Sequence, residues 1–425
     1  MGDAGPACYV TSDEQYFTYL GLLNSNAADY LLKIINPTIN YSCGVMEAFP
    51  IPNNILNATE NAIELSQNNV EISHKDWDDF ETSFDFKKHS LVCGERTGRL
   101  IRKHYLAHQQ ECLDRFNRLK ANEEELNRIF IDIYGLQGEL TPEVEEKDVT
   151  VYRIIDEPDE NERKMAYVLS MKDEIVSLLS YIVGCMLGRY SPYVDGLLYA
   201  GGEWNYEKIV DRIAEGARSC DFYDASLGLF LPDRDAIVPV ADDEYFTDDI
   251  VGRTVEFVKK IYGADTLEEN LKFIADALKV KGDSPREVLR NYYLTEFYAD
   301  HLRTYQKRPI YWQFDSGKTN AFKCLTYLHR YDRDTIARVR TDYVHELQER
   351  LRTQLDDAKK RAETGDSRMR ANANKRAQKL EKQLSEVNKY EEIVHHFADM
   401  RVEIDLDDGV KVNYAKFAEL LTKIK

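Results

Sequence analysis

A long ladder of apolar residues near the C-terminus constrains this chain more than any other feature of its sequence. Between residues 334 and 360 these residues recur at a spacing of three and then of four, which predicts a single buried helical stripe. Its members are Ile336, Val339, Tyr343, Leu347, Leu351 and Leu355. A polar region at 365–374 interrupts the ladder, which resumes at Leu380. Two helices folded back as a hairpin fit best, and a coiled-coil dimer is the alternative.

Helical periodicity also dominates the rest of the chain. Apolar residues at helical spacing predict helices over 13–35, 100–132, 166–188, 246–280 and 285–305. Ser284 followed by Pro285 is typical of a helix start, because Ser caps the free N–H groups and Pro fits the first helical position. Loops punctuated by Pro and Gly, as at 36–52, leave room only for short strands. We therefore expect a mainly α chain with small β elements, arranged in several lobes.

Charge is distributed unevenly along the sequence. The whole chain carries a net charge of −19, which argues against a simple DNA-coating protein. Residues 121–280 hold 16 Lys/Arg and 35 Asp/Glu, whereas residues 301–390 hold 21 Lys/Arg and 12 Asp/Glu. The second segment could face a polyanion and the first could not. Both could equally be solvated helix faces.

Motifs for catalysis are missing. No Gly-rich turn after a first strand offers S-adenosylmethionine a binding loop, and the nearest match to an amino-methyltransferase loop, Asn36-Pro37-Thr38-Ile39, lacks the second Pro and the aromatic residue. The Gly317-Lys318-Thr319 sequence fails as a phosphate loop, because Trp312 stands where the first Gly is needed. We therefore expect no catalytic, cofactor-binding or metal-binding residue in this chain.

Cysteine usage and hydropathy indicate a cytoplasmic protein. Seven scattered cysteines form no metal-binding spacing and suggest reduced thiols. The longest uncharged stretch, Ile175 to Gly188, has 14 residues and is too short to cross a bilayer, so we expect no membrane contact.

The basic segment after residue 306 is the best candidate for contact with nucleic acid. Aromatic residues such as Tyr311 and Tyr327 interleave with its cations, which could neutralise phosphates while aromatic and amide groups stack on or read bases. The candidate DNA contacts are Lys307, Arg308, Trp312, Lys318, Asn320, Lys323, Arg330, Arg333, Arg338 and Arg340. Two alternatives stay open: a strand and helix packed into a core, or a surface for a protein partner.

Several long segments together carry a resemblance to one family. They are LGLLNSNAADYLLKIINPTINYSCGVMEAFPIP (20–52), SHKDWDDFETSFDFKKHSL (73–91), LSYIVGCMLGRYSPYVDGLLYAGG (179–202), DDEYFTDDIVGR (242–253), TLEENLKFIADAL (266–278), KRPIYWQFDSGKTNAFKCLTYLHRYDRDT (307–335), RTDYVHELQERL (340–351) and DLDDGVKVNYAKF (405–417). In order and spacing they resemble the C-terminal half of PglX, the adenine-specific DNA methyltransferase family of bacteriophage-exclusion (BREX) systems, which is related to giant single-chain restriction-modification enzymes.

The resemblance implies a division of labour. The parent enzyme would methylate adenine N6 with S-adenosylmethionine, using motifs in an upstream methyltransferase half. This chain would supply the end of a specificity-type region (1–52), a helical connector (53–138), an acidic, mostly helical domain (139–280) and a basic segment with a helical hairpin and tail (281–425). Its expected partners are double-stranded DNA, the upstream half and other defence-system proteins. An assembly module without direct DNA contact is the alternative function.

Overall fold

The computed structural model describes residues 8–38, 40–53, 55, 60–92, 98–364 and 366–424. Within them, helices predominate and strands are few and short, so the expected mainly α fold with small β elements is confirmed. Contacts divide the chain into two compact units, one of Met1–Phe80 with Leu106–Met171 and one of Glu81–Tyr105 with Lys172–Lys425. The four segments predicted from the sequence stay a prediction.

The first unit is built on helices. Its elements are α1 (Asp13–Leu23), α2 (Asn26–Ile35), α3 (Cys43–Glu47), α4 (Glu60–Asp78), the part of α5 (Ile101–Tyr134) from Leu106 onward, β1 (Arg153–Ile155) and β2 (Val168–Ser170). Strands β1 and β2 pair in parallel. Leu22, Ala28 and Phe130 belong to its buried core.

The helix expected over residues 13–35 is two helices. Ser25 interrupts it, because its Oγ donates to the carbonyl of Leu22 at 2.6 Å and accepts the N–H of Ala28 at 3.3 Å. That pattern ends α1 and caps α2. The break was not predicted because a Ser inside an apolar ladder is compatible with either one helix or two.

The second unit contains most of the chain. Its elements are α6 (Met171–Leu187), α7 (Tyr206–Ala217), β3 (Ile237–Pro239), α8 (Ile250–Tyr262), α9 (Leu267–Leu278), α10 (Pro285–Thr295), α11 (Phe297–Thr304), β4 (Tyr311–Asp315), β5 (Lys323–Tyr327), α12 (Thr335–Arg338), α13 (His345–Thr364), α14 (Ser367–Met400) and α15 (Val410–Ala415). Helix α6 is buried along most of its length. Ser284 caps α10 with Pro285 at its start, as predicted.

A small antiparallel sheet and the C-terminal hairpin share one core. Strand β5 lies between β3 and β4. Helices α13 and α14 pack against each other within the chain, so the hairpin is present. A π-helical segment, Val339–Val344, joins α12 to α13. The ladder residues Leu347, Leu351 and Leu380 are fully buried in the same cluster as Trp312 and Phe314.

No helix in the described part of the chain is long and apolar enough to span a membrane.

Candidate nucleic-acid interface

Three of the ten candidate DNA contacts lie in the interior of the second unit. Trp312, Lys323 and Arg330 are 0%, 8% and 9% exposed. Contact with a base or phosphate requires an accessible side chain, so these three are removed from the predicted interface. The alternative interpretation of a strand packed into a core is correct for Trp312, whose ring packs against those of Tyr331, Tyr414 and Phe417.

Arg330 holds three backbone segments together. Its guanidinium donates hydrogen bonds to the carbonyls of Leu187 (3.1 Å), Asp233 (2.8 Å) and Arg234 (2.7 Å). Burial lowers the pKa of Arg330 to about 10, which leaves the group charged at neutral pH. An arginine can satisfy several carbonyls at once because its planar fork carries five N–H donors. The role of this side chain is therefore structural.

Lys323 also has a structural role. Its ammonium donates to the carbonyl of Leu294 at 3.0 Å and lies 3.9 Å from a carboxylate oxygen of Asp315. The residue sits on the central strand β5, where its side chain reaches the end of α10 instead of solvent.

The turn between β4 and β5 presents Lys318 to solvent. Two backbone N–H groups of this turn are bound by carboxylates: Gly317 donates to Asp315 and Thr319 donates to Glu386, both at 2.9 Å. Glu386 also accepts from the hydroxyl of Ser316 at 2.9 Å, which fixes the turn on α14. A phosphate loop would need those N–H groups free. The turn thus displays Lys318, while Asn320 is partly buried in the left-handed region at φ 51°.

Three surface arginines of the candidate set are paired with carboxylates. Arg333 lies 3.8 Å from Glu403, Arg338 lies 2.9 Å from Asp332, and Arg340 lies 2.7 Å from Glu391. The pairs of Arg333 and Arg338 are the more exposed, and exposed pairs contribute only about 0–1 kcal/mol, so a phosphate can compete with their carboxylates at small cost. The side chains of Arg340 and Glu391 are only 25% and 18% exposed, so that pair is held more firmly.

Lys307 and Arg308 form the exposed turn that precedes β4. Like Lys318, they have no carboxylate within ion-pairing distance among the residues that the structure describes. Gln306 and Lys307 both adopt a positive φ, at 50° and 59°, which non-glycine residues seldom do. The turn is fixed by backbone hydrogen bonds from Lys307 to Leu302 and from Arg308 to Tyr305. Of the ten candidates, three therefore remain as unpaired exposed cations, which we call the basic triad: Lys307 and Arg308 before β4, and Lys318 after it.

Comparison with known proteins identifies two relatives of this chain. It is 40% identical over 412 residues to the "Adenine-specific methyltransferase PglX" of Lacticaseibacillus casei (strain Zhang), a match that covers 95% of this chain and 31% of that protein. It is 35% identical over 433 residues to the "Adenine-specific methyltransferase BrxX" of Escherichia coli O9:H4 (strain HS), which covers 100% of this chain and 34% of that protein.

The chain is similar to part of the PglX and BrxX adenine-specific methyltransferases. This confirms the resemblance seen in the sequence. The chain spans about a third of the length of either relative. No protein-family model matches it.

A second cluster of reactive groups lies in the first unit of this PglX-like chain. Asp79, His108 and Cys112 place potential ligand atoms within 4.8 Å of one another, although no metal-binding spacing was found in the sequence. Burial lowers the pKa of His108. Arg115 already donates to both the Asp79 carboxylate and the Cys112 sulfur, the latter at 3.1 Å. A guanidinium in that position supplies the positive charge that the carboxylate needs, so we assign this cluster a structural role.

Proposed function

We propose that this chain is the C-terminal, DNA-recognition and accessory portion of a site-specific adenine-N6 DNA methyltransferase of a bacteriophage-exclusion defence system. The catalytic and S-adenosylmethionine-binding half is expected upstream, because both relatives are about three times as long as this chain and the sequence has no cofactor-binding motif. Six described cysteines are free thiols, which suits a reducing cytoplasm.

The observation that carries this proposal is the basic triad. In a chain of net charge −19, the three exposed candidates without acidic partners lie within residues 301–390, which hold 21 Lys/Arg and 12 Asp/Glu. Ammonium and guanidinium groups bind phosphate oxygens, and the release of condensed counterions then favours binding to DNA. Arg333 and Arg338, whose ion pairs are exposed, can add contacts by exchanging a carboxylate for a phosphate.

The role of these residues is positioning. Contacts to phosphates fix the register of a protein on the duplex but carry no sequence information themselves. When the duplex is held by such contacts, a target adenine can be extruded into a catalytic pocket, where S-adenosylmethionine supplies the methyl group. On this proposal the defence system spares the methylated host DNA. This chain contributes the phosphate contacts that hold the duplex.

An assembly module is the second candidate function. Residues 121–280 carry a net charge of −19, and acidic side chains repel DNA but can attract a basic protein. Other proteins of the defence system would be the partners on this alternative.

A matched pair of variants separates the two functions. The triad variant Lys307→Gln/Arg308→Gln/Lys318→Gln removes three exposed cations from the basic segment. The control variant Lys208→Gln/Lys259→Gln/Lys272→Gln removes three exposed cations from the acidic residues 121–280. We expect the triad variant to bind a labelled 30-base-pair duplex at least tenfold more weakly at about 100 mM KCl, and the control to match the unmodified chain. Equal binding by both variants would favour the assembly module.

A further inference from the structure

The end of the C-terminal hairpin lies outside the buried core in the part of the chain that the structure describes. The buried stripe stops at Ala358 on α13 and starts again at Ala377 on α14, which are 6% and 7% exposed. We call residues 359–364 and 366–376 the hairpin tip. None of them is buried. At 1.5 Å per residue, the start of α14 extends about 15 Å beyond Ala377.

The hairpin tip is strongly basic. Residues 359–376 carry seven Lys/Arg and two Asp/Glu. Lys359 pairs with Glu381 and Arg376 with Asp243. The other five have no carboxylate within ion-pairing distance in the described chain: Lys360, Arg361, Arg368, Arg370 and Lys375.

Two cations of the tip lie where a positive charge does not stabilise its own helix. Arg368 and Arg370 lie at the start of α14, where the helix dipole is positive and a cation is disfavoured by about 0.3–1 kcal/mol. The first turn of α14 contains no acidic residue, and only the capping Asp366 offsets this charge. Neither arginine packs against the core. Residues that oppose the stability of their own element are expected at functional sites, and a site for a partner of the opposite charge fits these arginines.

We propose that the hairpin tip binds the phosphate backbone of duplex DNA, independently of base sequence. This inference rests on the proposed function and adds a second contact to it, separate from the basic triad. Duplex DNA presents one phosphate charge for every ~1.7 Å of its axis, so the extended tip meets several phosphates at once. The exposed arginines offer N–H forks that match the geometry of phosphate oxygens.

The test neutralises the start of α14 without changing its helix propensity. The tip variant is Arg368→Gln/Arg370→Gln/Lys375→Gln, because Gln is about as good a helix former as Arg or Lys. It is compared with the unmodified chain and with the control variant Lys208→Gln/Lys259→Gln/Lys272→Gln, which removes exposed cations from α7, α8 and α9. Fluorescence anisotropy measures binding to two 30-base-pair duplexes of unrelated sequence over a range of KCl concentrations.

We expect the tip variant to reduce the slope of log K against log [KCl] by roughly 2 to 3, at about 0.9 for each lost phosphate contact. The reduction should be the same for both duplexes, and the melting temperature should not fall. Binding equal to that of the control variant would overturn the tip proposal and leave the proposed function in place. Weakening for one duplex alone would overturn its sequence independence. No binding by the unmodified chain at low salt would overturn both proposals.

Discussion

The guanidinium of Arg330 lies 3.6 Å from the centre of the Trp204 ring. The indole thus covers a cation that also donates to three backbone carbonyls, so charge, ring and main chain form one buried unit. Gly188, which directly follows α6, packs against the Trp204 indole. Its backbone lies in the left-handed region at φ 81°, and there is no room for a side chain beside the indole. An arginine that looked like a DNA contact in the sequence is a structural centre of the second unit.

Loss of the Arg330 guanidinium should destabilise the second unit strongly. Arg330→Met keeps much of the volume but leaves three carbonyls without their donor, and we expect the free energy of unfolding to fall by about 2–4 kcal/mol. Arg330→Lys should recover only part of this loss, because one ammonium cannot replace a planar fork. Urea unfolding followed by tryptophan fluorescence measures the change. The exposed Arg333→Met is the control, expected within about 0.5 kcal/mol of the unmodified chain. A similar value for Arg330→Met would contradict the structural role.

A substitution at Gly188 tests the packing of Arg330 and Trp204 independently. A Cβ at this position would lie 2.7 Å from an indole carbon of Trp204, whereas a Cβ at Gly228, which also has a positive φ of 70°, meets nothing within 4 Å. Gly228→Ala should cost about 1 kcal/mol from backbone strain alone. Gly188→Ala should cost about 1–3 kcal/mol more, since the ring and Arg330 must shift as well. Equal losses in urea unfolding would show that Trp204 does not fill the space above Gly188.

The carboxyl group of Asp233 should make stability depend on pH. Burial, with Asp235 and Asp248 nearby, raises its pKa from 3.8 to about 8. The folded chain then keeps a proton that the unfolded chain releases, so the contribution to stability falls as the pH rises from about 4 to about 8. Asp233→Asn removes this dependence and can still accept the N–H groups of Asp235 and Ala236.

The variant should therefore gain stability over the unmodified chain as the pH rises, by up to about 1.4 kcal/mol for each pH unit in that window. Urea unfolding at pH 5, 6, 7 and 8 measures the difference, with the exposed Asp276→Asn as the control. A difference between Asp233→Asn and the unmodified chain that stays constant across these pH values would contradict the raised pKa of Asp233.

Much of the fold could be predicted from the sequence, because helical periodicity reports local burial. The hairpin follows from a ladder in which Leu347, Leu351 and Leu380 each occupy the inner face of a helix. The break at Ser25 and the π-helical segment Val339–Val344 were not predicted, since both depend on hydrogen bonds that several sequences could make or avoid.

The candidate site was only partly predictable, for a different reason. Aromatic residues interleaved with cations look the same whether a strand is buried or binds DNA, and β4 is buried over four of its five residues. The acceptors of Arg330 come from residues such as Leu187 and Asp233, which are distant in the sequence. Exposure of Lys307, Arg308 and Lys318 depends on turns whose geometry composition alone does not fix.

If this chain contacts the phosphates of duplex DNA, binding of the unmodified chain to a duplex must respond to salt, and a salt series measures that response. We expect binding at about 50 mM KCl that weakens steeply, with log K falling linearly against log [KCl] at a slope of about −3 or steeper, as expected for at least three phosphate contacts. No binding at that salt concentration, or binding that salt does not weaken, would contradict these phosphate contacts.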